Sequence, residues 1–129
     1  MEIIVNNLQH KILIPVSKVK SAAQLTCRKL KFNKPELSVV FVGEKRMRRI
    51  NREYLGHDYV TDVITFRSNE IVVCPAVAAR NAGRYGNSVG REIILYVIHG
   101  ILHLCGYDDH TPKDIERMRQ KEQQIMDLL

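Results

Sequence analysis

Residues 99–110 read HGILHLCGYDDH and place three histidines and two aspartates within twelve positions. His99 and His103 are four apart. On a helix that spacing sends both side chains out of one face about a turn from each other, so two imidazoles can converge on one ion. The run that carries them, REIILYVIHGILHLC (91–105), is aliphatic almost all round and reads as a buried helix. Two imidazoles buried there without partners would cost about a few kcal/mol, so each needs a ligand or a backbone carbonyl. Gly106 then suits a left-handed cap, which reverses the chain and lets a residue of YDDH approach the pair from its open side. Asp109 and His110 are both candidates, because carboxylate oxygen and imidazole nitrogen each bind zinc at about 2.0–2.2 Å.

The frame is H-x3-H-x2-G. In metalloproteases of the metzincin kind it reads H-E-x-x-H-x-x-G-x-x-H, and the glutamate after the first histidine is the general base. Here Gly100 stands in that position. Metal-dependent peptide hydrolysis loses its proton acceptor and ranks third among the readings below.

The rest of the chain must position this helix. EIIVNN (2–7), LSVVFV (37–42), DVITF (62–66) and EIVVC (70–74) are short, β-branched runs and read as strands, the last two joined by only three residues, which suits a hairpin. The stretch 15–32 repeats apolar residues near a 3.6 period behind Pro15, and 75–86 gives a helix of small residues. In TPKDIERMRQKEQQIMDLL (111–129), Thr111 is the expected N-cap, Pro112 the first helical residue, and Ile115, Met118, Ile125 and Leu128 the apolar side. GEKRMRRINREYL (43–55) puts Met47, Ile50 and Tyr54 on one side and Lys45, Arg48, Arg49 and Arg52 on another. The expected fold is α+β: one domain over 1–129, a small mixed four-stranded sheet packed with about five helices, the metal-bearing helix central.

Twenty Lys and Arg against fourteen Asp and Glu give a net charge of +6, which favours polyanionic partners. The stripe Lys45, Arg48, Arg49 and Arg52 is the candidate nucleic-acid-binding face, with a merely solvated cationic face as its alternative. The three cysteines, Cys27, Cys74 and Cys105, are odd in number and far apart, so reduced thiols and no disulfides are expected. MEIIVNNLQH contains neither a signal peptide nor a membrane span, and a cytoplasmic protein is the expectation.

HGILHLCGYDDH also resembles the signature of the YbeY family of bacterial rRNA maturation factors, usually H-G-x-L-H-L-x-G-Y-D-H. INREYLGHDYVTDVITF (50–66) is similar to that family's block N-x-x-Y-R-G-x-D-x-x-T-D-V-L-S-F. The two motifs stand in the family's order, and the resemblance covers the chain from about residue 37 onward. It implies one Zn2+ per chain, held by the histidine helix and the loop after its glycine, in a single-strand-directed endoribonuclease of 16S rRNA 3′-end maturation and ribosome quality control. It also implies single-stranded RNA, 16S rRNA and the small ribosomal subunit as partners. Another divalent metal is compatible with the same donors.

Two positions depart from the pattern. The family's third ligand stands ten residues after the first, which is Asp109, while His110 lies one step later. Asp109 is preferred, because the tight turn fixes reach and direction, and His110 is the alternative. Leu55 stands where the family has an arginine implicated in activity, and leucine cannot neutralise a phosphate. His57 and Asp58 are the candidate catalytic residues on the strength of the resemblance, with His57 or Arg52 as candidate stand-ins for the arginine. The second functional reading follows from Leu55 and Gly100: a structural zinc in a non-catalytic ribosome-assembly or RNA-binding factor.

Overall fold

The computed structural model describes residues 1–129. Its strands are β1 (Glu2–Asn7), β2 (Glu36–Phe41), β3 (Val63–Phe66) and β4 (Glu70–Val73), and its helices α1 (Val16–Lys29), α2 (Glu44–Leu55), α3 (Pro75–Tyr85), α4 (Val89–Leu104) and α5 (Pro112–Met126). The strands form one mixed sheet in the order β1-β2-β4-β3, with β1, β2 and β4 parallel and β3 antiparallel on the edge. Parallel neighbours need a crossover, which α1 supplies between β1 and β2. The hairpin joining β3 to β4 has Arg67, Ser68 and Asn69 in its loop. Asn69 takes φ 63° and donates its N–H to the Phe66 carbonyl, the usual left-handed third position of a three-residue loop.

Alternation along the strands divides the core between two faces. Leu37, Val39, Phe41, Ile71 and Val73 point to α1 and α4, where they meet Val19, Ala23, Cys27, Ile93, Val97 and Ile101. Ile64 and Val72 point the other way, to Met47 of α2. The outer side of α4 is covered by α5, through Ile98 and Leu102 against Met118, Ile125 and Met126. Apolar residues right round α4 are thus explained by cover on both sides, each fully buried Ile or Leu contributing roughly 1.5–3 kcal/mol.

Two helix ends and one exposed ring stand out among the differences from the sequence reading. α4 begins at Val89 rather than Arg91, because the Ser88 hydroxyl accepts from the Arg91 N–H and caps the helix earlier. α5 ends at Met126, so Met126 is buried and the expected apolar Leu128 is exposed beyond it. Tyr54 is exposed rather than in the core, its ring edge-on to Phe66 at 5.4 Å.

Gly100 sets how closely α4 lies on the sheet. A Cβ there would come within 2.8 Å of Ile71 Cδ1 and Cγ2. The position that holds the glutamate base in metzincins is therefore sealed against β4 in this chain, and a glutamate has no room in it.

Candidate metal centre

The end of α4 is built by Gly106. At φ 94° it reverses the chain, its N–H donating to the His103 carbonyl (3.1 Å) and the Tyr107 N–H to the Leu102 carbonyl (3.0 Å). These two bonds form a Schellman cap, and Tyr107 packs on the cluster containing Leu102, the apolar contact such caps carry. The same turn brings the Tyr107 carbonyl to 3.1 Å from His103 Nδ1. A carbonyl can only accept, so the His103 proton sits on Nδ1 and the Nε2 lone pair is free.

His99 is fixed in the same way from another element. Its Nδ1 lies 2.8 Å from Glu122 Oε2 on α5, a carboxylate only 12% exposed. The ring donates from Nδ1, and its Nε2 also faces inward. The two Nε2 atoms are 3.1 Å apart. Asp109 Oδ2 lies 3.6 Å from His99 Nε2 and 3.4 Å from His103 Nε2.

This triangle fits a small divalent cation. Donors about 2.1 Å from a tetrahedral zinc would be about 3.4 Å apart, close to all three edges. The donor chemistry agrees, since two lone pairs directed at each other beside a carboxylate repel unless a positive charge lies among them. Burial works against a charged His99 ring, but the Glu122 hydrogen bond, and then the charges of Glu122, Asp109 and Asp62, outweigh it and hold His99 above the usual imidazole value. Carboxylate, histidine and inward Nε2 together are the arrangement by which outer partners orient metal-bound imidazoles.

The triangle opens on a cavity of about 890 Å³. Leu55, Asp62, Val63, Thr65 and Arg67 line one side; Leu104, Asp108 and His110 join the three donors on the other. A smaller cavity of about 260 Å³ lies toward α5, lined by Ile115, Met118, Arg119 and Glu122 beside His99 and Asp109.

Of the residues singled out in the sequence, His99, His103 and Asp109 come together. His110 does not join them; its side chain is 82% exposed and its Nε2 is 3.2 Å from Asp108 Oδ1. Leu55 lines the cavity, and His57 and Asp58 follow it onto exposed surface outside the lining, the His57 ring beside Tyr59. Arg48 Nε bonds Asp58 Oδ1 at 2.9 Å, and Arg52 approaches the same carboxylate at 3.7 Å. The Arg48 hydrogen bond keeps Asp58 below the ordinary aspartate value. Lys45 and Arg49 have no carboxylate partner and line, with Lys11 and Arg46, an open groove at the start of α2. Asp62 Oδ1 accepts from the Val63 N–H at 2.7 Å, the strand-end role its position suggests. Cys27, Cys74 and Cys105 are free, and burial pushes the Cys27 thiol up to about 12. No helix is long and apolar enough to cross a membrane. Glu122 was not visible in the sequence as part of the site; the only signal was an acidic residue on the predicted last helix.

Comparison with known proteins bears on the same residues. A family model described as Endoribonuclease YbeY matches residues 4–129. A protein of Chlorobium phaeovibrioides named Endoribonuclease YbeY is 37% identical over 123 residues, covering 90% of this chain and 83% of that protein. One of the same name from Desulforamulus reducens is 34% identical over 149 residues, covering 100% of this chain and 97% of its own length. The solution structure of TM1509 from Thermotoga maritima superposes with a TM-score of 0.70 at 28% identity, covering 98% of this chain and 87% of that one.

Proposed function

Since this chain belongs to the YbeY endoribonuclease family, we propose that it is a zinc-dependent endoribonuclease that cuts single-stranded RNA. The observation that carries this reading is the triangle of His99 Nε2, His103 Nε2 and Asp109 Oδ2, with edges of 3.1–3.6 Å, open to a large cavity. A zinc ion held there supplies Lewis acidity towards water or a phosphoryl oxygen. The chain's own residues do the rest. Glu122 and the Tyr107 carbonyl hold the Nδ1 protons, so that both imidazoles present lone pairs at Nε2. Asp109 adds one negative charge, which leaves the site less positive than three imidazoles would. The cavity lies within the usual size range of ligand pockets, about 300–1,000 Å³.

In this reading Lys45, Arg48, Arg49 and Arg52 carry the RNA backbone along the exposed side of α2. His57 and Asp58, which follow Leu55 in sequence, keep the catalytic role that the family resemblance implies. The cellular role that follows is 16S rRNA 3′-end maturation and ribosome quality control in the cytoplasm, with the small subunit as partner. The structural-zinc alternative draws on Leu55, an apolar side chain in the cavity wall where the family carries arginine. Against it stands the number of donors: structural zinc sites are closed by four protein ligands, whereas three facing a cavity leave a position for substrate.

The test is cleavage of a labelled single-stranded RNA by zinc-loaded wild type and His103→Ala. Loss of cutting in the variant is expected. Equal cutting by both would remove the metal from the mechanism, and zinc-loaded wild type that leaves RNA intact while binding it would favour the structural reading.

A further inference from the structure

The residues that line the metal cavity are poor in fixed positive charge. Three carboxylates face it, from Asp62, Asp108 and Asp109, and three imidazoles. Among all the lining residues only one carries a permanent cation, Arg67. Each phosphate of a nucleic acid brings a negative charge that those carboxylates repel, so a strand entering the cavity needs a counter-charge besides the metal.

The basic stripe of α2 does not supply it there. Arg48 and Arg52 are drawn to Asp58, and none of the four stripe residues lines the cavity. Arg67, by contrast, lies within 4.0 Å of no carboxylate; the ion pairs of the chain use Arg48, Arg52, Arg80 and histidines. Its backbone is well placed. It is the first residue of the three-residue β3–β4 loop, held by the Asn69-to-Phe66 hydrogen bond. The period of two puts it in line with Val63 and Thr65, which line the same wall.

We infer that Arg67 is the phosphate-binding residue of this cavity, its guanidinium holding a backbone phosphate of the single strand across from the His99–His103–Asp109 site. A guanidinium suits the task because its planar fork can make two parallel hydrogen bonds to one phosphate. The inference rests on the ribonuclease reading and assigns the substrate contact within it.

The experiment uses zinc-loaded wild type, Arg67→Gln, Arg67→Lys and Arg84→Gln, the last an exposed arginine on α3 outside the cavity. Cleavage of a short single-stranded RNA is followed over a range of salt concentrations, with zinc stoichiometry and Tm measured in parallel. Arg67→Gln is expected to lose about ten-fold in kcat/KM, mainly through KM, and to lower the slope of log(1/KM) against log salt by about 0.7, the value for one phosphate contact on a single strand. Arg67→Lys should keep the salt slope but recover only part of the rate, since it keeps charge without the fork. Zinc content and Tm should stay at the wild-type values in all four, because Arg67 has no intramolecular partner to lose. A wild-type KM and salt slope in Arg67→Gln would overturn the assignment, as would an equal loss in Arg84→Gln. A wild type that neither binds nor cuts the RNA would instead sink the ribonuclease reading on which it stands.

Discussion

Glu122 Oε2 on α5 lies 2.8 Å from His99 Nδ1 on α4, and this contact fixes which nitrogen of His99 faces His103 and Asp109. The two helices are brought together by packing of Ile98 and Leu102 against Met118 and Ile125. Core packing between helices distant in sequence therefore sets the geometry of the site. Replacing Glu122 with Gln keeps an acceptor for the Nδ1 proton but removes the charge. Zinc affinity is expected to fall about 10–100-fold, the usual cost of losing such an outer partner, while stoichiometry at saturating metal stays at one. Competition with a chromophoric chelator measures this, and wild-type affinity in Glu122→Gln would count against the role.

The same contact gives the metal-free chain a pH-dependent stability. His99 is held above its ordinary value of 6.5: burial opposes its charge, but Glu122, Asp109 and Asp62 prevail. A group whose folded value is raised stabilises fully below its unfolded value, and the contribution fades as pH rises through the folded value. Metal-free wild type should thus exceed metal-free Glu122→Gln in Tm between about pH 5 and 6.5, and the gap should close on the alkaline side. Thermal melts across that range in a chelating buffer read the difference directly; a gap that widened with pH would reverse the sign and refute the assignment.

Asp109 and His110 differ in direction although they are adjacent. Asp109 Oδ2 turns to the imidazoles, and His110 turns to Asp108. Asp109→Ala is expected to lose most bound zinc at low micromolar metal, and His110→Ala to keep it. Elemental analysis after gel filtration decides between them. Full zinc retention by Asp109→Ala together with loss in His110→Ala would hand the third position to the histidine.

Much of this site was legible in the residues because its parts are local. Four-residue spacing placed His99 and His103 on one face, Gly106 announced the reversal, and Thr111 with Pro112 marked the start of the next helix. What could not be read depends on approach between distant segments. Glu122 is twenty-three residues from His99 and reaches it only because α5 lies on α4. The tie of Arg48 and Arg52 to Asp58 depends on how the α2–β3 connection folds back, which no periodicity encodes. Tyr54 and Leu128 fit their helical patterns yet are exposed, since a pattern gives a face and not the extent of what covers it.

Gly100 reads in sequence as a missing glutamate, and in the structure as a spacing device. Its absent side chain is where Ile71 of β4 sits, and three Ile71 side-chain atoms lie at 2.8–3.0 Å from the position a Cβ would take. Alanine there gains about 1 kcal/mol of helix preference over glycine. Against that gain, Ile71 is fully buried and branched at Cβ, so it cannot swing aside without overpacking, which costs typically about 1–3 kcal/mol. The expected net result for Gly100→Ala is a loss of up to roughly 2 kcal/mol by urea melts, with zinc affinity lowered as the seating of α4 on the sheet changes. Trimming the neighbour with Ile71→Ala should offset part of that loss in the double variant, since the two changes share one space. Strict additivity of the two single effects would mean that the contact between Gly100 and Ile71 does not set the seating of the histidine helix.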